Sequence, residues 1–166
     1  MPSNKTNLLN PEKLHIANTA IVKCHIDSPF DFKSNKVKGY EFGLGFEMGF
    51  NLEDKLVKAD FKLEVSTKSE GENPEEAKGS FHIVFVFQVE NLEELAIPDK
   101  NYNIELNGGL GNALASITYS TTRGILFARL KGTALENFIL PVIDPNKLLI
   151  NKSISREPDQ PKSKKA

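Results

Sequence analysis

The sequence predicts an α+β fold: a four-stranded antiparallel meander, then one long helix and a C-terminal arm. Three observations carry the prediction. Residues 14–89 hold four runs in which apolar and polar side chains alternate, the two-residue period of strands with one covered face. From residue 113 the apolar residues recur at helical spacing instead. Beyond residue 132 prolines break the chain into an extended arm with a short final helix.

Each strand is justified by its own stripe. In "LHIANTAIVKCHID" (14–27), Ala20, Val22, Cys24 and Ile26 fall on one face, and Lys23, His25 and Asp27 on the other. In "YEFGLGFEMGF" (40–50), Phe42, Leu44, Phe46, Met48 and Phe50 alternate with Glu41, Gly43, Gly45, Glu47 and Gly49. "LVKADFKLEVS" (56–66) sets Val57, Ala59, Phe61, Leu63 and Val65 against charged neighbours. "SFHIVFVFQVE" (80–90) repeats the stripe from Phe81 to Val89, but Val84 and Val86 make its other face apolar too. That second face predicts burial on both sides or a partner there. "NLEDK" (51–55) is short enough for a hairpin, and "TKSEGENPEEAKG" (67–79) reads as a longer acidic loop.

After the fourth strand, "NLEELAIPDKNYNIELNGGLGN" (91–112) is irregular. "ALASITYSTTRGILFARL" (113–130) is then the helix, with Asn112 as its expected cap and Leu114, Ile117, Ile125, Leu126 and Leu130 on its apolar face. Gly124 costs this helix about 1 kcal/mol against Ala, a loss that a closely packed second helix would explain. Lys131-Gly132 ends it. A helix about 10 Å wide cannot cover four strands spanning about 15 Å, so a second subunit is expected to cover the rest of the apolar face.

Composition bounds the function. The chain carries 21 Lys and Arg against 22 Asp and Glu, a balance that gives no electrostatic reason to expect nucleic acid or an acidic membrane as partner. No apolar run has the length of a membrane span, and "MPSNKTNLLNPEKL" lacks a signal-peptide core, so a soluble cytoplasmic protein is expected. Residues 1–12 and the basic end 151–166 are expected to be mobile tails around one domain, 13–150.

No catalytic constellation is legible, so no enzyme, metal or cofactor is expected. His15, His25 and His82 lack ligand spacing, and Cys24 reads as a small core residue. Ser120, Thr121 and Thr122 have no histidine nearby in sequence. "GGLG" (108–111) lacks the Lys-Ser/Thr of a phosphate loop and reads as a turn before the helix. Glu75-Glu76 and Glu93-Glu94 read as solvated loop carboxylates. What remains is an excess of grease: eleven Phe and no Trp, with Phe30, Phe32 and Tyr40 clustered between the first two strands. That favours either a surface for extended polypeptide or, as the rival reading, a module that encloses a small apolar ligand.

The order of strands, irregular crossover, helix and Pro-bearing arm resembles the SecB family of export chaperones over about residues 13–150. The most specific stretch is "ITYSTTRGILFARLKGTALENFILPVIDPNKLL": a helix with a tyrosine near its start, a glycine turn, and the arm from Leu140 to Leu149. "IDSP" (26–29) resembles the family's ending of its first strand. The resemblance implies an ATP-independent holdase, a homotetramer built as a dimer of dimers with helices between two sheets, and apolar grooves for unfolded clients. By position it places client contacts at Phe30, Phe32 and Tyr40, at Leu92, Leu95 and Ile97 in the crossover, and at Tyr119. It also implies acids on the outward sheet face that dock the SecA motor. Asp27 matches one such position, but Lys23 and Gln88 replace two others and the tail ends "KSKKA". Those departures weaken motor docking and point toward a relative dedicated to one partner, such as a toxin–antitoxin system.

Overall fold

The structure, a computed structural model, describes residues 9–150 and the backbone of 153–155. The long strands β1 (Leu14–Asp27), β2 (Val37–Asn51), β3 (Leu56–Ser69) and β4 (Lys78–Val89) appear where the alternation places them. A single helical turn α1 (Leu92–Leu95) and a small hairpin of β5 (Ala96–Pro98) and β6 (Ile104–Leu106) lead into α2 (Gly108–Arg129). An extended arm then reaches α3 (Asn146–Ile150) and a three-residue strand β7 (Ser153–Ser155). The sheet order is β1-β4-β3-β2-β7, with every pair antiparallel.

That order corrects the simple meander. β2, β3 and β4 are joined by hairpins, but β1 pairs with β4 in a Greek-key arrangement, so residues 28–36 cross the end of the sheet to start β2. Hydrophobic alternation shows which face a strand buries but not which strand lies beside it. The expected boundary at 150 is crossed by β7, which pairs Ser153, Ile154 and Ser155 with Gly45, Leu44 and Gly43. The rest of the expected tails, 1–8, 151–152 and 156–166, lie outside the described residues.

The core lies between the sheet's inner face and α2. Phe61, Leu63, Ile83, Phe85 and Phe87 of β3 and β4 are fully buried beneath Leu114, Ala115 and Leu130. The β2–β3 turn is held by Asn51, whose Oδ1 accepts from Asp54 N at 3.0 Å and whose Nδ2 donates to Asp54 Oδ2 at 2.8 Å. Lys55 takes a left-handed φ of 57° there, and its Nζ donates to Glu90 O at 2.8 Å and approaches Glu93 Oε1 at 3.3 Å. The β3–β4 loop is tied by Glu76. Its carboxylate accepts from the Thr67 hydroxyl, from Ser69 N at 2.7 Å and from Ser69 Oγ at 3.1 Å. Glu76 is therefore a staple rather than a solvated loop carboxylate, and Glu93 is paired with Lys55.

β1 departs most from strict alternation. Its pairing with β4 skips between Ile16 and Asn18 and again between Ile21 and Lys23, which leaves Ala17 and Val22 as bulges. The inner face therefore carries Leu14, Ile16, Thr19, Ile21, Cys24 and Ile26, opposite the buried residues of β4, while Ala20 faces outward. Among the described residues nothing covers most of this face: Ile16 is 50% and Ile21 38% exposed. Cys24 is exposed too, not a core residue, because α2 does not extend over this edge of the sheet.

The helix begins one turn earlier than the spacing suggests. Asn107, not Asn112, is the cap: its Oδ1 accepts from Gly109 N at 2.9 Å and Leu110 N at 3.2 Å. "GGLG" is consequently the first helical turn, with Leu110 and Gly111 buried against neighbouring segments. The termination is as expected, with Gly132 at φ 76°. At Gly124 a methyl group would meet nothing within 4 Å, so no second helix of the same chain packs there among the described residues.

Candidate functional site

Among the described residues an open groove of ≈ 920 Å³ lies at the end of β2 farthest from residues 28–36. Its floor is Phe46, Met48 and Phe50, the inner-facing stripe of β2. One wall is the β5–β6 hairpin, through Tyr102, Ile104 and Leu106; the other is α3, through Leu148 and Leu149. Gly111 closes the base, where a methyl group would stand 3.2 Å from both Leu106 and Leu149, so a side chain there would push the two walls apart. Asn103, Asn107 and Glu47 supply the polar rim.

The hairpin wall is built by its own tip. Asp99 accepts from Asn101 N at 2.7 Å and Asn103 N at 2.9 Å, and these two amides hold its carboxyl below the usual aspartate range. Inside that knot Tyr102 adopts a left-handed φ of 61° and is 92% exposed. An aromatic ring held in a strained conformation and turned to solvent is unusual for a residue with only a structural role. Sequence reasoning missed Tyr102, although the Asp99-x-Asn101-x-Asn103 spacing marks the turn. It also read Met48 and Phe50 only as core.

The residues implied as client contacts separate into two groups. Phe30 is fully exposed on the 28–36 crossover and Ile97 is exposed on β5, so both offer apolar surface. Phe32 and Tyr40 are partly buried, with the Tyr40 ring edge-on to Phe138 at 5.3 Å. Leu92, Leu95 and Tyr119 are enclosed in the core and offer a client no surface. Leu92 and Leu95 turn inward because α1 is a helical turn rather than an open loop. Tyr119 packs edge-on to Phe61 at 5.8 Å and donates its hydroxyl to Pro141 O at 2.6 Å, which ties the C-terminal arm to α2. The groove lies at the opposite end of β2 from Phe30 and Tyr40, so the exposed apolar residues do not form one contiguous patch.

The outer sheet face is polar and mixed in sign. Asp27 and Lys23 share it on β1, opposite Lys78 and His82, and Gln88 lies at its far end. Of its acids, Glu64 accepts from Ser80 Oγ at 2.5 Å and two are ion-paired, Glu41 with Lys68 at 2.7 Å, and Asp60 with Lys58 at 3.1 Å and His82 at 2.7 Å. Partial burial pushes the Asp60 carboxyl up, but these two partners outweigh it and leave it net lowered. Val84 and Val86, on the same face, are half-buried by strand neighbours, with no second layer upon them among the described residues. Among the described residues no three His, Cys, Asp or Glu side chains gather to hold a metal, and no helix is long and apolar enough to cross a membrane.

No family model matches the chain, and no curated protein matches it. Solved structures do. The Mycobacterium tuberculosis Rv1957 SecB-like chaperone, solved in complex with a ChAD peptide from the Rv1956 HigA1 antitoxin, superposes with a TM-score of 0.53 at 12% identity. The match covers 80% of this chain and 91% of that one. The likeness is one of fold: this chain has a SecB-like architecture.

Proposed function

We propose that this protein is a chaperone that holds non-native polypeptide in the groove at the end of β2, without nucleotide or covalent chemistry. The observation that carries the reading is the groove itself: a ready-made cleft of ≈ 920 Å³ with a polar rim and an apolar floor of Phe46, Met48 and Phe50, overhung by the exposed Tyr102. Each buried client side chain contributes about 1.5–3 kcal/mol, so affinity accumulates over several weak contacts. The shared architecture with a chaperone solved with an antitoxin peptide supports a polypeptide as occupant. An enclosed apolar ligand is the weaker alternative, because the groove is open to solvent along its length.

Within the chaperone reading we favour a dedicated partner over motor-coupled export from the cytoplasm. The outer face has Lys23 beside His82 and neutral Gln88 where docking to a basic motor would need acids, and two of its carboxylates, Glu41 and Asp60, are already ion-paired. Self-association is part of the proposal, because the described residues leave the inner face of β1 uncovered.

Dilution of several unrelated chemically unfolded proteins into buffer, with and without this protein and with no nucleotide, tests the reading. Suppressed aggregation, lost in Met48→Asp and Phe50→Asp variants that remain folded, is the expected result. Failure to hold any unfolded client or antitoxin-like peptide refutes it.

A further inference from the structure

We propose that β7 is a built-in competitor at the outer edge of β2, occupying a site along which an extended client segment pairs in its place. The inference rests on the polypeptide-binding reading and concerns how that site is regulated. β2 is fifteen residues long, yet among the described residues its outer edge is paired at Gly43, Leu44 and Gly45 alone. Among the described residues no strand pairs with 46–51 along that edge. A row of free N–H and C=O groups is a template for another strand, and the chain's own C-terminal segment shows that this edge accepts one in antiparallel register.

The free stretch runs beside the groove. Phe46, Met48 and Phe50 face inward, so a strand added along 46–50 directs every second side chain toward the groove and the others toward the outer face. Main-chain bonding along an edge gives affinity with little dependence on sequence, and the pockets for alternate side chains add preference. That combination suits a client that is defined by being extended rather than by one motif.

β7 is joined to the groove as well as to the edge. Two residues separate it from α3, whose Leu148 and Leu149 form a groove wall. A client strand that displaces β7 therefore also frees the chain next to that wall. Three residue pairs make a weak strand, since its hydrogen bonds are largely offset by the entropy of ordering the segment. If β7 is docked between half and nine-tenths of the time, removing it raises the apparent client affinity about two- to tenfold. A mere edge protector would instead suppress self-pairing and leave client affinity unchanged.

The test uses three full-length proteins and one probe, a fluorescein-labelled, reduced and alkylated lactalbumin followed by anisotropy. Ile154→Pro places a proline at the centre of this three-residue strand to free β7. Gly45→Cys with Ser153→Cys, in a Cys24→Ser background, pins β7 by a cross-strand disulfide. The expected results are about two- to tenfold tighter binding by Ile154→Pro, weaker binding by the oxidised pinned protein, and wild-type affinity after reduction. Equal affinity for wild type, freed and pinned proteins overturns the inference and leaves the chaperone reading intact. Self-association of Ile154→Pro without tighter client binding assigns β7 to edge protection and overturns it equally. If none of the proteins binds the probe or suppresses aggregation, the polypeptide reading fails and this inference falls with it.

Discussion

Tyr119→Phe separates two roles for one residue, tether of the arm or contact for a client. The substitution keeps the ring, and so keeps its edge-on packing against Phe61 at 5.8 Å. It removes the 2.6 Å bond to Pro141 O, a side-chain link between α2 and the C-terminal arm beside the one from Asn112 to Asn146. A hydrogen bond of this kind contributes about 0.5–1.5 kcal/mol net, which lowers the melting temperature by about 2–4 °C per kcal/mol in a chain of this size. Tyr119→Ala removes the ring as well and costs about 3–5 kcal/mol, because Tyr119 is only 4% exposed. Urea denaturation gives both values, provided that the slope m stays constant. Client affinity is measured at a temperature where all variants are folded. The expected pattern is a modest loss of stability with unchanged affinity for the Phe variant. Unchanged stability with weakened client binding would refute the tether and restore Tyr119 to the client surface.

Further outcomes follow from the same geometry. Asn107→Ala removes the acceptor for Gly109 N and Leu110 N and should cost about 1 kcal/mol, read by denaturation; no loss would place the helix start elsewhere. Phe30→Ser should leave stability unchanged, since the ring is fully exposed, whereas Phe32→Ser should destabilise through its partly buried packing against the core. Glu76→Gln should cost about 1 kcal/mol at neutral pH, after allowance for solvent screening of a half-exposed carboxylate. Partial burial pushes the Glu76 carboxyl up, but the bonds from Thr67 and Ser69 outweigh it and hold it net below the ordinary value of 4.5. Its contribution is therefore present above that value and lost as pH falls through the folded-state pKa. The gap between wild type and Glu76→Gln should close in acid; a gap that persists would argue against the staple.

Much of the inner layer was legible because a two-residue period leaves little choice of face. Leu44, Phe46, Val57, Phe61, Ile83 and Phe85 are all core, as their stripes require. β1 was misread because its bulges at Ala17 and Val22 move the inner residues to three-residue spacing, Ile16 to Thr19 and Ile21 to Cys24. Local pattern cannot reveal a bulge that the partner strand sets. Pairing of β1 with β4 was likewise outside any local signal. The true helix cap was masked by Gly108 and Gly109, whose low propensity is overridden by the Asn107 bonds and the burial of Leu110. For the candidate site, the resemblance located apolar segments but not which side chains point outward. Leu92 and Leu95 share a chain segment with Ile97, yet only Ile97 is exposed.

The uncovered inner face of β1 sets the next requirement. With strands about 4.8 Å apart, β1 lies about 14 Å from β2, beyond the reach of one helix seated over the middle of the sheet. α2 has a bare side of its own, where Ser120, Gly124 and Phe127 are exposed and Gly124 meets nothing within 4 Å. A second copy that covered both surfaces would bury more apolar area than one that covered β1 alone, and specific dimers need about 1,200–2,000 Å² in total. Ile16→Ser with Ile21→Ser should therefore lower the oligomeric mass in sedimentation without unfolding the protomer, since both side chains are already well exposed within it. An unchanged oligomer would assign self-association to the helix side alone. A protein that is monomeric before any substitution would leave the β1 face to a different chain, and the dedicated partner would then be the first occupant to test.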